Sequence, residues 1–343
     1  MIPRLHIEFP HKLRRVFRRG VEYTPNSNEY LVNHARSGIV MALCTTLPNG
    51  GRVGVVAYNC HTVANAVVQG GCTPVFVDVT SDLHIDVQHL SKQPLDAIVV
   101  TNLFGIHNKL DAICQAQPNA IIIVDNAHGY GLPVEGDFCV YSINQGKFPS
   151  LGEGGILYVN NPTYQPAIDA IYQSLPAYTR KQEIKLYAKM QLKAILYHPS
   201  IYGITLRGKS QRSHKADKST ITLQRISKGV SRMYQRALPT IPQEIAQQQR
   251  NAQFVADRLL DQKMAQRVWY GENAFMLIAQ TDKPEVLKNH LMQHGVETAT
   301  HFAHAIDWAQ EFGYQLGTCP MAEQLTKELV MIPTYVKLHN VIS

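Results

Sequence analysis

The sequence has no Cys-x-x-Cys pair, no His-Glu-x-x-His and no Gly-x-Ser-x-Gly. No Gly-x-Gly-x-x-Gly follows an apolar run. These absences exclude a paired-cysteine zinc site, a zincin helix, a hydrolase nucleophile elbow and a dinucleotide-binding fingerprint. No apolar run approaches the ~20 residues of a membrane span. The basic start, MIPRLHIEFPHKLRRVFRRG, is broken by Pro3 and Pro10 and lacks the apolar stretch of a secretory signal. Cysteine is sparse and scattered, at Cys44, Cys60, Cys72, Cys114, Cys139 and Cys319. That usage predicts reduced thiols and a cytoplasmic setting. Charged residues make up 17% and hydrophobic ones 45% of 343 residues. The chain is therefore an ordinary globular one of roughly two domain equivalents, not coiled coil, collagen or disorder.

The net charge of +7 is unevenly placed. The segment from Arg180 to Arg236 holds 14 Lys and Arg against Glu183 and Asp217, so it carries +12 and the remainder −5. Such a patch attracts phosphates, acidic partners or an anionic membrane surface, the bland alternative being a solvated face. No nucleic-acid motif accompanies it, so no nucleic-acid partner is expected.

Short apolar runs alternate with helical stretches between residues 33 and 161. VGVVAY (53–58), TPVFVDV (73–79), DAIVVTNLF (96–104) and AIIIVDNA (120–127) read as strands, with CVYSI (139–143) and GILYVN (155–160) after them. SGIVMALCTTL, HTVANAVVQGG and KLDAICQAQ between them read as helices. The alternation predicts an α/β fold with a mostly parallel central sheet and helices on both faces, its functional residues beyond the strands' carboxyl ends. EIKLYAKMQLKAILYH (183–198) predicts a helix with Ile184, Tyr187, Met190 or Gln191, Ala194, Ile195 and His198 near one face and Lys185, Lys189 and Lys193 four apart. RGKSQRSHKADKST (207–220) reads as an exposed loop. A long helix over 242–266, a strand at AFMLIAQ (274–280) and a helix ending near Gly295 predict a smaller C-terminal α/β lobe. The expected division is a large domain over 1–235, including the basic helical segment at 180–236, and a small one over 236–343.

Three chemistry-bearing residues fall at strand ends: Asp125 with His128 three residues on, Ser142, and Lys147 leading into FPSLGEGG. Each alone reads as a cap or a solvated side chain. Together they suit pyridoxal phosphate chemistry. A lysine amine condenses with the cofactor aldehyde, and a carboxylate keeps the pyridine nitrogen protonated so that the ring acts as an electron sink. A serine and helix N-terminal amides hold the phosphate, and Ser37-Gly38 is read as opening such a helix.

The order of GCTPVFVDV, NLFGIH, DNAH and SINQGKFPSLGEGG resembles the DegT/StrS-type sugar aminotransferases among fold-type I pyridoxal phosphate enzymes. The resemblance is strong over residues 33–161 and weaker near HGVETATHF and CPMAEQLTKELVMIPTY. It implies Lys147 as Schiff-base lysine and proton shuttle, Asp125 on the pyridine nitrogen and His128 near the cofactor hydroxyl. Ser142, Ser37, Gly38 and Ile39 would lie at the phosphate. A stacking aromatic is implied from VVAYNCH. The direct alignment places Cys60 there; Tyr58 is preferred, with His61 as the other choice. The resemblance further implies a homodimer that aminates a keto group on a nucleotide-linked sugar, or a related polysaccharide precursor, with glutamate as donor.

Departures accompany the match. Ile39 stands where the family often has threonine, and Val230 and Ser231 where an asparagine is usually donated across the dimer. The N-terminal lead is short, and the basic segment is not a family feature. Members that dehydrate replace the lysine; Lys147 is kept. The opposing reading is an idle descendant serving as a membrane or partner scaffold. A metal site at His290, His294, His301 and His304 is not expected.

Overall fold

The computed structural model describes residues 1–3, 20–206, 215–300, 302–335 and 338. The expectations for His301 and for residues 207–214 lie outside them. The strands are β1 (Glu29–Val32), β2 (Arg52–Val56), β3 (Thr73–Val77), β4 (Ala97–Thr101), β5 (Ile121–Asn126), β6 (Phe138–Ser142) and β7 (Gly155–Val159). A second set follows: β8 (Arg267–Trp269), β9 (Met276–Gln280), β10 (Ala299–Thr300) and β11 (Leu329–Pro333). The helices are α1 (Ala35–Thr46), α2 (His61–Gln69), α3 (Val87–Leu90), α4 (Leu110–Ala116), α5 (Gln165–Ser174) and α6 (Arg180–Leu196). They continue as α7 (Pro199–Leu206), α8 (Lys228–Ala237), α9 (Ile241–Asp261), α10 (Pro284–Gln293), α11 (Ala305–Gln310) and α12 (Pro320–Glu328).

The first seven strands form one sheet in the order β1-β7-β6-β5-β4-β2-β3. From β6 to β3 all pairs are parallel; β7 runs antiparallel to both β6 and β1. Strands β4 and β6 are buried at every position, which a sheet covered on both faces requires and which explains their unbroken apolar runs. One buried cluster holds α1 and α2 against the sheet, and another lies on the opposite face and continues to α11, α12 and the second sheet. That second sheet is antiparallel, ordered β10-β11-β9-β8, with α9 and α10 closing a third core through Val255, Leu259, Leu287 and Leu291.

Two glycines let α1 lie close. A Cβ on Gly38 would meet Val140 Cγ1 at 2.9 Å, and one on Gly155 would meet the Ala35 backbone nitrogen at 2.3 Å. The second glycine of the GEGG pair thus makes room for the start of α1. The basic helix α6 buries Leu186, Met190 and Ala194, an i, i+4 stripe that shares Met190 and Ala194 with the expected face but not Ile184 or Ile195. Ile184 (60% exposed), Leu192 (58%) and Ile195 (48%) face outward. No helix among the described residues is long and apolar enough to cross a membrane.

Candidate active site

Strands β1, β2, β4, β5 and β6 all end at one edge, because β1 is antiparallel to β7 and therefore runs with β6. Their loops enclose a cavity of about 200 Å³. Asp125, Ser142 and Lys147 all line it, as do His128 and Ile39.

Asp125 sits next to last in β5, paired in register with Thr101 of β4. Its carboxylate is 4% exposed. Oδ1 accepts the Ala127 N–H at 3.0 Å, and Oδ2 accepts the Thr101 hydroxyl at 3.5 Å. Thr101 Oγ1 in turn accepts from Asn59 Nδ2 at 2.9 Å. Burial pushes the Asp125 carboxyl above the usual range, while the Ala127 amide, Lys147 and Thr101 pull it back. A buried carboxylate at the floor of a cavity is a seat for a cation.

Lys147 Nζ lies 2.5 Å from His128 Nε2. His128 Nδ1 accepts the Phe104 N–H at 3.2 Å, made possible by a left-handed Phe104 (φ 57°). With Nδ1 used as an acceptor, a neutral imidazole carries its proton on Nε2 and points it at the lysine nitrogen. The contact is then satisfied by an amine that presents its lone pair, the form that attacks an aldehyde. Phe302 packs against both rings, 6.0 Å from His128 at 11° and 6.1 Å from Phe104.

The helix that points at the cavity starts earlier than Ser37-Gly38 suggests. It begins at Ala35, with His34 in the cap position at extended φ and ψ. The first turn therefore presents His34, Ala35 and Arg36 to the cavity, with orphan amides and the positive end of the helix dipole. Ser37 and Gly38 do not line it. The Ser37 hydroxyl is buried and donates to Asn33 Oδ1 at 2.8 Å, and Gly38 faces the sheet. Neither residue is among those that line the cavity, while Ile39, the third expected phosphate position of this helix, is.

Tyr58 is also corrected. It is fully buried and packs edge-on against Phe302 (5.6 Å) and Phe104 (6.3 Å), away from the cavity. His61 packs on Trp308 at 4.9 Å. Of this segment Asn59 and Cys60 line the cavity, so the rings it presents are those of His34, His128 and Phe302. Val230 and Ser231 are buried in α8, where Ser231 Oγ accepts the Tyr23 N–H at 3.1 Å.

Several lining residues carried no signal in the sequence: Asn59, Thr101, Asn144, Arg36 and Phe302. Asn144 is two residues after Ser142 and accepts the Gly154 N–H at 2.7 Å, tying the lysine loop to the GEGG turn. Phe302 comes from the second lobe, and only the folded chain brings it near. The His290 and His294 rings lie 4.5 Å apart, tilted by 41°, and no group of three His, Cys, Asp or Glu is arranged to hold a metal among the described residues.

The DegT/DnrJ/EryC1/StrS aminotransferase family model matches residues 18–341. Solved structures agree in fold. A sugar aminotransferase from Micromonospora echinospora is 16% identical, covering 99% of this chain and 96% of its own at a TM-score of 0.66. A GDP-4-keto-6-deoxymannose-3-dehydratase variant with bound GDP-perosamine is 18% identical, covering 97% and 89%, at 0.67. A Streptococcus pneumoniae protein, solved in PMP and PLP forms, is 14% identical in the former, covering 94% and 90%, at 0.68.

Proposed function

Because the chain belongs to the DegT/DnrJ/EryC1/StrS aminotransferase family, we propose that its cavity aminates a keto group on a nucleotide-linked sugar or related glycan precursor, with glutamate as donor. The enzyme is a pyridoxal-phosphate-dependent aminotransferase. The cofactor supplies the aldehyde that takes up the amino group and the electron-withdrawing ring that eases loss of the Cα proton. The chain's own residues fit it. Asp125 offers a buried anion for the pyridine nitrogen. The start of α1 and the Ser142 hydroxyl offer donors for the phosphate. Lys147 supplies the amine that holds the aldehyde, and after substrate binding the same amine moves a proton to and from the substrate carbon. His128 orients that amine and contacts it directly.

The observation that carries this reading is the convergence of Asp125 and Lys147 on one cavity, with Lys147 Nζ 2.5 Å from His128 Nε2. An idle scaffold has no use for a buried carboxylate facing a lysine. The experiment is the visible absorbance of the purified protein with added pyridoxal phosphate, followed by amino-group transfer from glutamate to candidate nucleotide keto-sugars. We further assign a homodimer and a cytoplasmic setting; the six cysteines form no disulfide with one another.

A second assignment concerns the basic segment. The outward stripe of Ile184, Leu192 and Ile195 lies on a helix that also carries Lys181 and Lys185, and this favours an anionic membrane surface for α6.

A further inference from the structure

The turn between β8 and β9, from Tyr270 to Phe275, belongs to the second lobe, yet it reaches the loops that hold His128. Asn273 is 2% exposed. Its amide nitrogen donates to the His128 carbonyl at 3.0 Å and to the Tyr130 carbonyl at 3.1 Å, so both of its hydrogens are used. Its oxygen accepts the Phe275 N–H at 3.2 Å. Two facing carbonyls admit only this orientation of the amide. The Phe275 ring lies 5.6 Å from the His128 ring, tilted by 58°. At the other end of the turn, a Cβ on Gly271 would collide with the Gly105 carbonyl. Gly105 follows Phe104, whose N–H is given to His128 Nδ1 at 3.2 Å. The turn therefore touches the backbone of His128, its ring, and the neighbour of its hydrogen-bond donor.

The turn is itself fixed from behind. Ala274 is fully buried and left-handed, at φ 44°. Its carbonyl accepts the Thr334 hydroxyl, and the Thr334 carbonyl accepts from Asn251 of α9 at 2.6 Å. A left-handed alanine is strained, and such a backbone persists only where its surroundings over-determine it. Contact between two lobes needs no more than apolar area. Here a buried amide directs both hydrogens at the loop of His128, which fixes position as well as proximity.

Resting on the aminotransferase reading above, we infer that Asn273 and Phe275 are positioning residues for the proton transfer at Lys147. Neither is among the residues that line the cavity. They act through His128, by fixing the carbonyl and the ring plane of the residue whose Nε2 stands 2.5 Å from Lys147 Nζ. Loss of the Asn273 amide removes the donor that the two carbonyls share and lets the loop of His128 shift. A displacement of about 1 Å at a reacting group can cost on the order of 100-fold in rate. The placement of the second lobe thus sets the direction of the lysine in the first.

The test is a double-mutant cycle between Asn273→Ala and His128→Asn, with two rates read. One is amino-group transfer from glutamate to the bound cofactor. The other is the rate at which the cofactor-free protein develops the cofactor band with added pyridoxal phosphate. A residue acting through His128 affects these rates only while His128 is present. Asn273→Ala should slow both about tenfold in the wild type and less than about twofold in the His128→Asn background. Phe275→Leu, at a half-buried position, runs the same cycle where the alanine variant does not fold, and the same pattern is expected. Equal losses in both backgrounds, or unchanged rates in the single variants, overturn the inference while leaving the aminotransferase reading intact. A wild type that develops no cofactor band counts against that reading instead.

Discussion

Lys147 Nζ and His128 Nε2 stand 2.5 Å apart at the carboxyl edge of the sheet, and the Phe104 amide fixes which ring nitrogen faces the lysine. The pairing gives the lysine a defined direction into the cavity. His128→Asn should therefore lower kcat about 100-fold while changing cofactor affinity less than tenfold. Steady-state kinetics beside a cofactor titration check this, and an unchanged kcat would remove His128 from the machinery.

Tyr58, the preferred stacking aromatic, is fully buried, while Cys60, the residue that the direct alignment offered, lines the cavity. Tyr58→Ala should destabilise the fold by about 3–5 kcal/mol, the usual cost of emptying a buried aromatic site. Cys60→Ala should leave stability within about 1 kcal/mol and shift the absorbance or affinity of the bound cofactor. Urea unfolding and a cofactor titration on both variants separate the two.

Gly155→Ala places a methyl against the Ala35 backbone nitrogen, where no side chain can yield. The expected result is a loss of about 3 kcal/mol or more, with weakened cofactor binding because the start of α1 is displaced. A variant of wild-type stability would mean that α1 does not sit where described.

His34 gives a pH dependence. Burial and the charge of Arg36 hold its folded value at about 4, below the ordinary 6.5. The unfolded chain therefore binds the extra proton first as pH falls. Stability from this group is complete above about pH 6.5 and is lost as pH drops toward 4, by an amount of order 2–3 kcal/mol. Denaturant midpoints of wild type and His34→Gln between pH 7 and 4 check it; the variant should show a shallower fall.

The membrane assignment of α6 is checked by co-sedimentation with anionic and neutral vesicles over a salt series. Binding should be confined to anionic vesicles, weaken with salt, and fall when Lys181 and Lys185 are changed to Gln. Equal absence from both pellets contradicts it.

Much of the main sheet was legible because strands buried on both faces leave unbroken apolar runs, as AIVVT and FCVYS do. Asp125, Ser142 and Lys147 were legible because they follow such runs at strand ends. The edge strand β1 was not: EYLV is four residues long and flanked by polar chain. The start of α1 was misplaced by two residues because His34 carries no capping hydrogen bond and Ser37 imitates a cap. Phe302 and Asn273 reach His128 through contacts between segments over a hundred residues apart, which local pattern does not encode. The two apolar faces of α6 explain why only Met190 and Ala194 of the expected stripe are buried: periodicity shows that a face is apolar, not which one the core takes.

The central claim is that Lys147 holds the cofactor. Borohydride reduction of the cofactor-loaded protein, followed by peptide mapping, tests it most directly. The account predicts a single pyridoxyl-modified peptide carrying Lys147, and loss of both the tag and the transfer activity in Lys147→Ala. A tag on another lysine, or full activity in that variant, would contradict it.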